Sequence, residues 1–308
     1  MPRAISLTQS LGYHYLIHRL LLSNRKLSSI MVSRFLRVHF FLQWSSCLLA
    51  VSVLFAGSQS VCGQEYLNGI KWIAPAMVAP GAQNSDAPSD AVVLFDGKDK
   101  SQWNNADTWE VKDGVLLCGK AEIRSKAEFG DCQLHIEWSA PTPAKGSGQG
   151  RGNSGVFMMG KYELQVLDSF DNVTYSDGQA GSIYKQTPPM ANAMRRPGEW
   201  NTYDIFWTCP RFQEDGAMES PAYITAVHNG VLILNHFQLL GDTPFNRAPR
   251  YKAHSSKGPI AIQDHGNPVR FRNIWIREVK PAVGVKEREP FLKNGDKETP
   301  IAQNAETK

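Results

Sequence analysis

Between residues 92 and 280 the chain never sustains an amphipathic helical repeat for ten positions; it breaks into short β-prone runs punctuated by Gly, Asn and Asp. The clearest punctuation is Asn229-Gly230, between Tyr223–His228 and Val231–Phe237. Both residues tolerate positive φ, so the pair predicts a tight hairpin. Asp113-Gly114 does the same between Thr108–Val111 and Val115–Cys118, and Gly160-Lys161 between Gly155–Met159 and Tyr162–Leu167. Val92–Phe95, Cys132–Trp138, Trp200–Trp207 and Val269–Val279 complete the expected strands. Many short strands joined by tight turns imply an all-β fold, expected here as a two-sheet jelly-roll β-sandwich. The block holds about 190 residues, the size of one domain.

Its flanks read differently. Residues 1–63 hold Arg3, Arg19, Arg25, Lys26, Arg34 and Arg37 and no acid, which accounts for the net charge of +4. The rest of the chain is left slightly acidic, so nothing electrostatic points to nucleic acid. Arg34 and Arg37 precede an apolar stretch from Phe40, densest at Cys47–Ala56, with small residues at Gly57, Ser58 and Gly63. A core of about ten residues is short of the roughly 20 that span a bilayer, so a secretory signal is expected rather than a stable membrane span. Met31 stands where such a signal would start, cleavage is expected before Gln64, and the protein is expected in the periplasm or outside the cell. A lipoprotein is the alternative, although neither Cys47 nor Cys62 follows a good lipobox. Residues 64–91 read as an extended arm or linker and 281–308 as a flexible charged tail.

Three cysteines follow the leader: Cys118, Cys132 and Cys209. One bridge, such as Cys118–Cys132, and three free thiols buried on strands both stay open.

Several ordered segments carry a resemblance: Gly152–Phe157 (GNSGVF), Tyr162–Asp168 (YELQVLD), Gly181–Tyr184 (GSIY), Gly198–Asp204 (GEWNTYD), His228–Val231 (HNGV), Gln263–Gly266 (QDHG) and Phe271–Ile274 (FRNI). Together they resemble the 3-keto-disaccharide hydrolase domain, also described as 3-keto-glucoside 1,2-lyase/3-keto-2-hydroxyglucal hydratase. The resemblance spans Val92 to Val279. It implies a concanavalin- and laminin-G-like jelly roll, an exported protein and a role in carbohydrate breakdown; since the sequence carries no oxidoreductase fingerprint, a separate sugar 3-dehydrogenase is expected to supply the keto sugar.

The residues themselves suggest where chemistry could sit. On a regular strand Glu163 and Gln165 share a face and Asp168 does not; a bulge would bring all three together. That E-x-Q-x-x-D layout is similar to the E-x-D-x-x-E strand of laminarinase-type hydrolases. Direct hydrolysis needs two carboxyls about 5–9.5 Å apart, and Glu163 and Asp168 start at roughly 13 Å between Cα atoms. A 3-keto sugar asks for less: the ketone acidifies the C2 hydrogen, so one base, an enolate stabiliser and an acid suffice. Glu163 or His265 is the expected base and Asp168 the expected acid. An arginine or a bound divalent metal ion is the expected partner of the enolate oxygen.

Gln263-Asp264-His265-Gly266 reads as a loop able to present polar groups over a sheet, or as a turn in which Asp264 caps backbone N–H groups. Arg151, Asn153 and Ser154 lie in a Gly-rich loop suited to sugar hydroxyls. Tyr184 could stack on a sugar or donate its hydroxyl, with Lys185 beside it. Arg270 and Arg272 share a strand face, where they would clamp substrate or pair with Glu163 or Asp168. His135 is expected on a solvent face, and His228 at a strand end. Trp138, Trp200, Trp207 and Trp275 are expected in the core, and Trp103 and Trp109 near the domain entrance. A non-catalytic glycan-binding jelly roll and a direct hydrolase of unoxidised glycans stand as alternatives to the elimination enzyme.

Overall fold

The structure, a computed structural model, describes residues 63–301; the signal-peptide reading lies outside them. Its strands run β1 (Glu65–Leu67), β2 (Ile70–Trp72), β3 (Val92–Phe95), β4 (Trp103–Asn104), β5 (Glu110–Lys112), β6 (Val115–Leu117) and β7 (Ile123–Phe129). They continue as β8 (Cys132–Ser139), β9 (Ser154–Met158), β10 (Tyr162–Val166), β11 (Asn201–Thr208), β12 (Arg211–Phe212), β13 (Met218–Ser220) and β14 (Tyr223–His228). The last are β15 (Val231–Gln238), β16 (Gly258–Ile262), β17 (Arg270–Glu278), β18 (Gly284–Lys286), β19 (Phe291–Asn294) and β20 (Lys297–Pro300).

Two antiparallel sheets make the β-sandwich within residues 70–287. The larger has the order β15-β14-β11-β8-β17-β6-β5, with β3 also paired to β17, and the smaller β10-β9-β16-β7-β4. Leu134, Ile136, Trp138, Ile205 and Phe271 of the large sheet join Ile123, Val156, Met158, Leu164 and Ile262 of the small one in a single buried cluster. Each fully buried aliphatic or aromatic side chain contributes roughly 1.5–3 kcal/mol. Of the expected turns, Asn229-Gly230 has φ of 52° and 81°, and Asp113-Gly114 has 51° and 75°. That left-handed pair is what a two-residue hairpin between right-twisting strands requires.

Strands β7 and β16 escape the sequence reading. β7 carries Arg124, Lys126 and Glu128, and β16 contains Pro259, which masks its β character. Together they form the middle of the small sheet.

Neither flank is featureless. β2 pairs with β18, and residues 79–91 are held in turns, with Ala79 N–H donating to Ser89 Oγ at 2.9 Å and Ser89 N–H to the Ala79 carbonyl at 3.0 Å. The Ser85 carbonyl accepts from Asn273 Nδ2 and Trp275 Nε1, while Arg277 grips Asp90. In a separate unit made of residues 63–69 and 288–301, β1, β19 and β20 form a three-stranded sheet with Phe291 buried under the Arg288 guanidinium. Backbone pairing needs few large apolar groups, so a charged tail can still form strands.

The same cover corrects His135. It is 2% exposed rather than solvent-facing, stacked on Trp275 at 5.2 Å and bonded through Nδ1 to Asp204 Oδ1 at 2.7 Å. Trp103 and Trp109 are core residues, with Trp103 Nε1 donating to the Leu94 carbonyl and Trp109 Nε1 to the Ala121 carbonyl. Trp200, expected in the core, is half-buried beneath the Arg272 guanidinium, which lies 4.1 Å from its ring centroid. Cys118, Cys132 and Cys209 are all free thiols. No helix among the described residues is long and apolar enough to cross a membrane.

Candidate active site

The outer face of the small sheet carries the site. On β10 and β9, Glu163 stands opposite Phe157 and Gln165 opposite Gly155. Side chains alternate along a strand, so these four share one face while Leu164, Val156 and Val166 take the other and join the core. Beyond β16, Gln263 N–H donates to the Gly155 carbonyl at 3.0 Å. Beyond β10, Ile183 bridges Leu164, and Tyr184 N–H donates to the Glu163 carbonyl at 3.4 Å. Tyr184 and Phe157 therefore flank Glu163 across the face, and Gln263 stands one row along, level with Gln165 beyond Gly155.

An open cavity of about 660 Å³ lies over this face. Among the described residues, Glu163 is its one lining carboxylate and His265 its one lining imidazole. Glu163 is 5% exposed, and burial, reinforced by the nearby Glu122 charge, pushes its pKa up to about 8. The Gln165 side-chain amide lies 2.9 Å from Glu163 Oε1, with its nitrogen as the donor to that oxygen. Thr243 Oγ1 accepts from Glu163 N–H at 3.1 Å, fixing the backbone beneath the acid. A carboxyl held near neutral pH by burial, and kept accessible to a cavity, suits proton transfer at carbon.

The two walls differ. On the β10 side, Tyr184 and Tyr175 share a hydroxyl–hydroxyl hydrogen bond of 2.7 Å, and Phe245 joins them. Burial comes first among the causes that raise the Tyr184 pKa. Its hydroxyl therefore stays protonated and available as a donor. On the β16 side stand Gln263 and His265; Gln263 Oε1 is buried without a hydrogen-bond partner, a place for a ligand hydroxyl to donate.

The expected site residues divide accordingly. Glu163, Gln165, Asn153, Tyr184, Gln263 and His265 line the cavity. Asp168, the expected acid, does not: it is 1% exposed, receives Arg151 Nε at 2.7 Å and accepts from Phe170 N–H. β10 ends at Val166, so no bulge rotates Asp168 onto the Glu163 face. Arg151 is occupied by this pair and by loop carbonyls, and Ser154 Oγ donates to the Gln263 carbonyl. Asp264 takes the turn role, accepting from Gly266 N–H at 2.8 Å.

Arg270 and Arg272 pair with neither Glu163 nor Asp168. They belong to the large sheet, where Arg270 donates to Ser139 and Arg272 to Glu137. Lys185 sits beside the cavity, its Nζ 3.4 Å over the Tyr175 ring and 3.7 Å from Asp177. Gln149, Phe157, Tyr175, Thr243 and Phe245 complete the lining, and only their placement in the fold reveals them. No cluster of three or more His, Cys, Asp or Glu able to hold a metal occurs among the described residues.

Fold and site together define a jelly-roll β-sandwich with an open, single-acid cleft on its smaller sheet. The chain belongs to the family of 3-keto-alpha-glucoside-1,2-lyase-like domains, whose model matches residues 90–277. It is 24% identical over 232 residues to a 3-keto-disaccharide hydrolase of Bacteroides thetaiotaomicron, covering 60% of this chain and 77% of that protein. A crystal structure from Parabacteroides distasonis, of a protein provisionally named a glycosyl hydrolase, is 50% identical. The match has a TM-score of 0.65 and covers 67% of this chain and 93% of the other.

Proposed function

We propose that the protein cleaves 3-keto-glycosides by elimination and hydration, with Glu163 as the base. The observation that carries this reading is the single buried carboxyl in the cavity. Two-carboxylate hydrolysis needs a second acid opposite the first, and Asp168 is committed to Arg151 instead. Proton abstraction beside a ketone needs one base, and a pKa of about 8 makes Glu163 a stronger base than an ordinary carboxylate.

The placement of Tyr184 on one side of Glu163 and of Gln263 and His265 on the other supports one orientation of the sugar. In a pyranose ring C1 and C3 flank C2. With C2 over Glu163, the C3 ketone points to His265 and Gln263, and C1 to Tyr184. Glu163 takes the C2 proton, and the C–H electron pair becomes the C2–C3 double bond of an enolate whose oxygen accepts from His265 N–H. Collapse of the enolate forms a C1–C2 double bond and expels the C1 oxygen, which takes a proton from the Tyr184 hydroxyl. Water then adds its oxygen to C1 and gives a proton to the Tyr184 phenolate, while Glu163 returns its proton to C2, which restores both groups. The balance is one glycosidic bond broken and one water consumed. On this reading the chain is exported, and a separate oxidoreductase must introduce the C3 ketone.

The test is to incubate the protein with a 3-keto-glucoside and with its unoxidised parent, following products by NMR and the enone by ultraviolet absorbance. Turnover of the keto sugar alone, lost in Glu163→Gln, is the expected result. Equal hydrolysis of the parent, or full activity in Glu163→Gln, overturns the reading.

A further inference from the structure

We infer that Phe245 is the stacking platform for the departing half of the substrate, and hence the residue that determines how strongly a sugar leaving group is favoured over a small alcohol. This rests on the elimination reading of the same cavity and specifies which substrates it selects.

Phe245 lines the cavity and yet is 74% exposed. A large apolar ring left in water forgoes the stabilisation that burial would return, so on stability grounds the position would favour a polar residue. The loop beneath it is nonetheless tightly specified. Gln186 Nε2 donates to the carbonyls of Gly241 and Asp242, and Gln186 Oε1 accepts from Leu240 N–H at 2.7 Å. Asp242 accepts from Arg250 N–H and pairs with Arg247. Thr243, two residues before Phe245, is tied to Glu163 N–H and to the Lys161 carbonyl. A ring presented to solvent from a pinned loop is preorganised to receive an apolar face.

The position of the ring selects the ligand. Phe245 belongs to the wall of Tyr175 and Tyr184, with the Lys185 Nζ 5.9 Å from its centroid. That is the side toward which C1 points, and Phe245 is far more exposed than Glu163 at 5%. The keto ring must reach Glu163 at the floor, so what lies against Phe245 at the mouth is the group attached to C1. The C–H face of a pyranose is apolar and packs on an aromatic ring, as a flat hydrophobic surface with its hydroxyls directed outward. A methyl group or other small alcohol would leave the platform uncovered.

The experiment compares a 3-keto-disaccharide with methyl 3-keto-glucoside in the wild type, Phe245→Ala and Phe245→Trp. The expected result is a rise in KM for the disaccharide in Phe245→Ala, with a kcat/KM loss at least ten-fold greater than for the methyl glycoside, and recovery of the disaccharide preference in Phe245→Trp. Equal losses on both substrates, or none on either, overturn the platform. The same three proteins are titrated by NMR with the unoxidised disaccharide and methyl glucoside. If the wild type turns over neither keto sugar, the elimination reading fails. The platform is then judged by binding alone: a disaccharide preference lost in Phe245→Ala upholds it, and its absence overturns it.

Discussion

The Glu163 carboxyl lies directly over Gly155 of the neighbouring strand: a Cβ built on Gly155 would come within 2.3 Å of Glu163 Oε1 and 2.9 Å of Phe157 Cε2. Gly155 has ordinary strand geometry, so its role is space for the acid rather than backbone freedom. Gly155→Ala is expected to displace Glu163 and lower kcat/KM by about 100-fold, the scale set by misplacing a reacting group by about 1 Å. Far-ultraviolet circular dichroism checks that the sandwich persists.

The raised pKa of Glu163 gives a direction for the pH profile. A base must be ionised to act, so kcat/KM rises with pH at about ten-fold per unit and levels off above about 8. The same shift affects stability with the opposite sense. The folded carboxyl holds its proton between the unfolded value near 4.5 and about 8, so stability attributable to this group falls as pH rises through that window. Glu163→Gln, which cannot ionise, is expected to gain stability over wild type, the gap widening from pH 5 to pH 8 in thermal melts. A pH-independent gap would contradict burial as the cause.

Asp168 and Arg151 separate structure from catalysis. The carboxylate is 1% exposed and its partner partly buried. Arg151→Ala leaves a buried charge uncompensated, a loss of about 3 kcal/mol and roughly 6–12 °C in Tm. Asp168→Asn is expected to lower Tm while the folded fraction keeps most of its kcat. A large fall in kcat at unchanged Tm would restore Asp168 as an acid.

How much of this was legible in the sequence depends on the residue. The Asn-Gly and Asp-Gly hairpins, and a common face for Glu163 and Gln165, follow from local rules of turn and alternation. Asp168 did not, because one register step decides its face and no local rule says where a strand ends. The aromatic wall was legible only at Tyr184: Tyr175, nine residues before it, and Phe245, on a distant loop, meet it only because loops close beside the edge strand β10. Gln263 and His265 were recognised as a motif, but their position depends on β16, whose Pro259 disguised it. His135 was misplaced because alternation says which face a residue takes and nothing about what later covers that face.

His135 is itself testable. Burial acts to lower its pKa, but Asp204 and Glu137 outweigh burial and raise it to about 9. A raised histidine contributes stability that is complete below its unfolded value near 6.5 and lost as pH climbs through 9. Wild-type Tm is therefore expected to decline between pH 7 and 10 more steeply than that of His135→Gln. Parallel declines would mean that the imidazole is not held as a cation.

The most direct test of proton abstraction by Glu163 replaces the C2 hydrogen of a 3-keto-glucoside with deuterium. If Glu163 breaks that C–H bond, single-turnover enone formation shows a clear primary isotope effect below pH 8, and Glu163→Gln forms no enone. An absent isotope effect, with glycoside cleaved and no enone at any time, would contradict elimination and return the cavity to hydrolysis by another route.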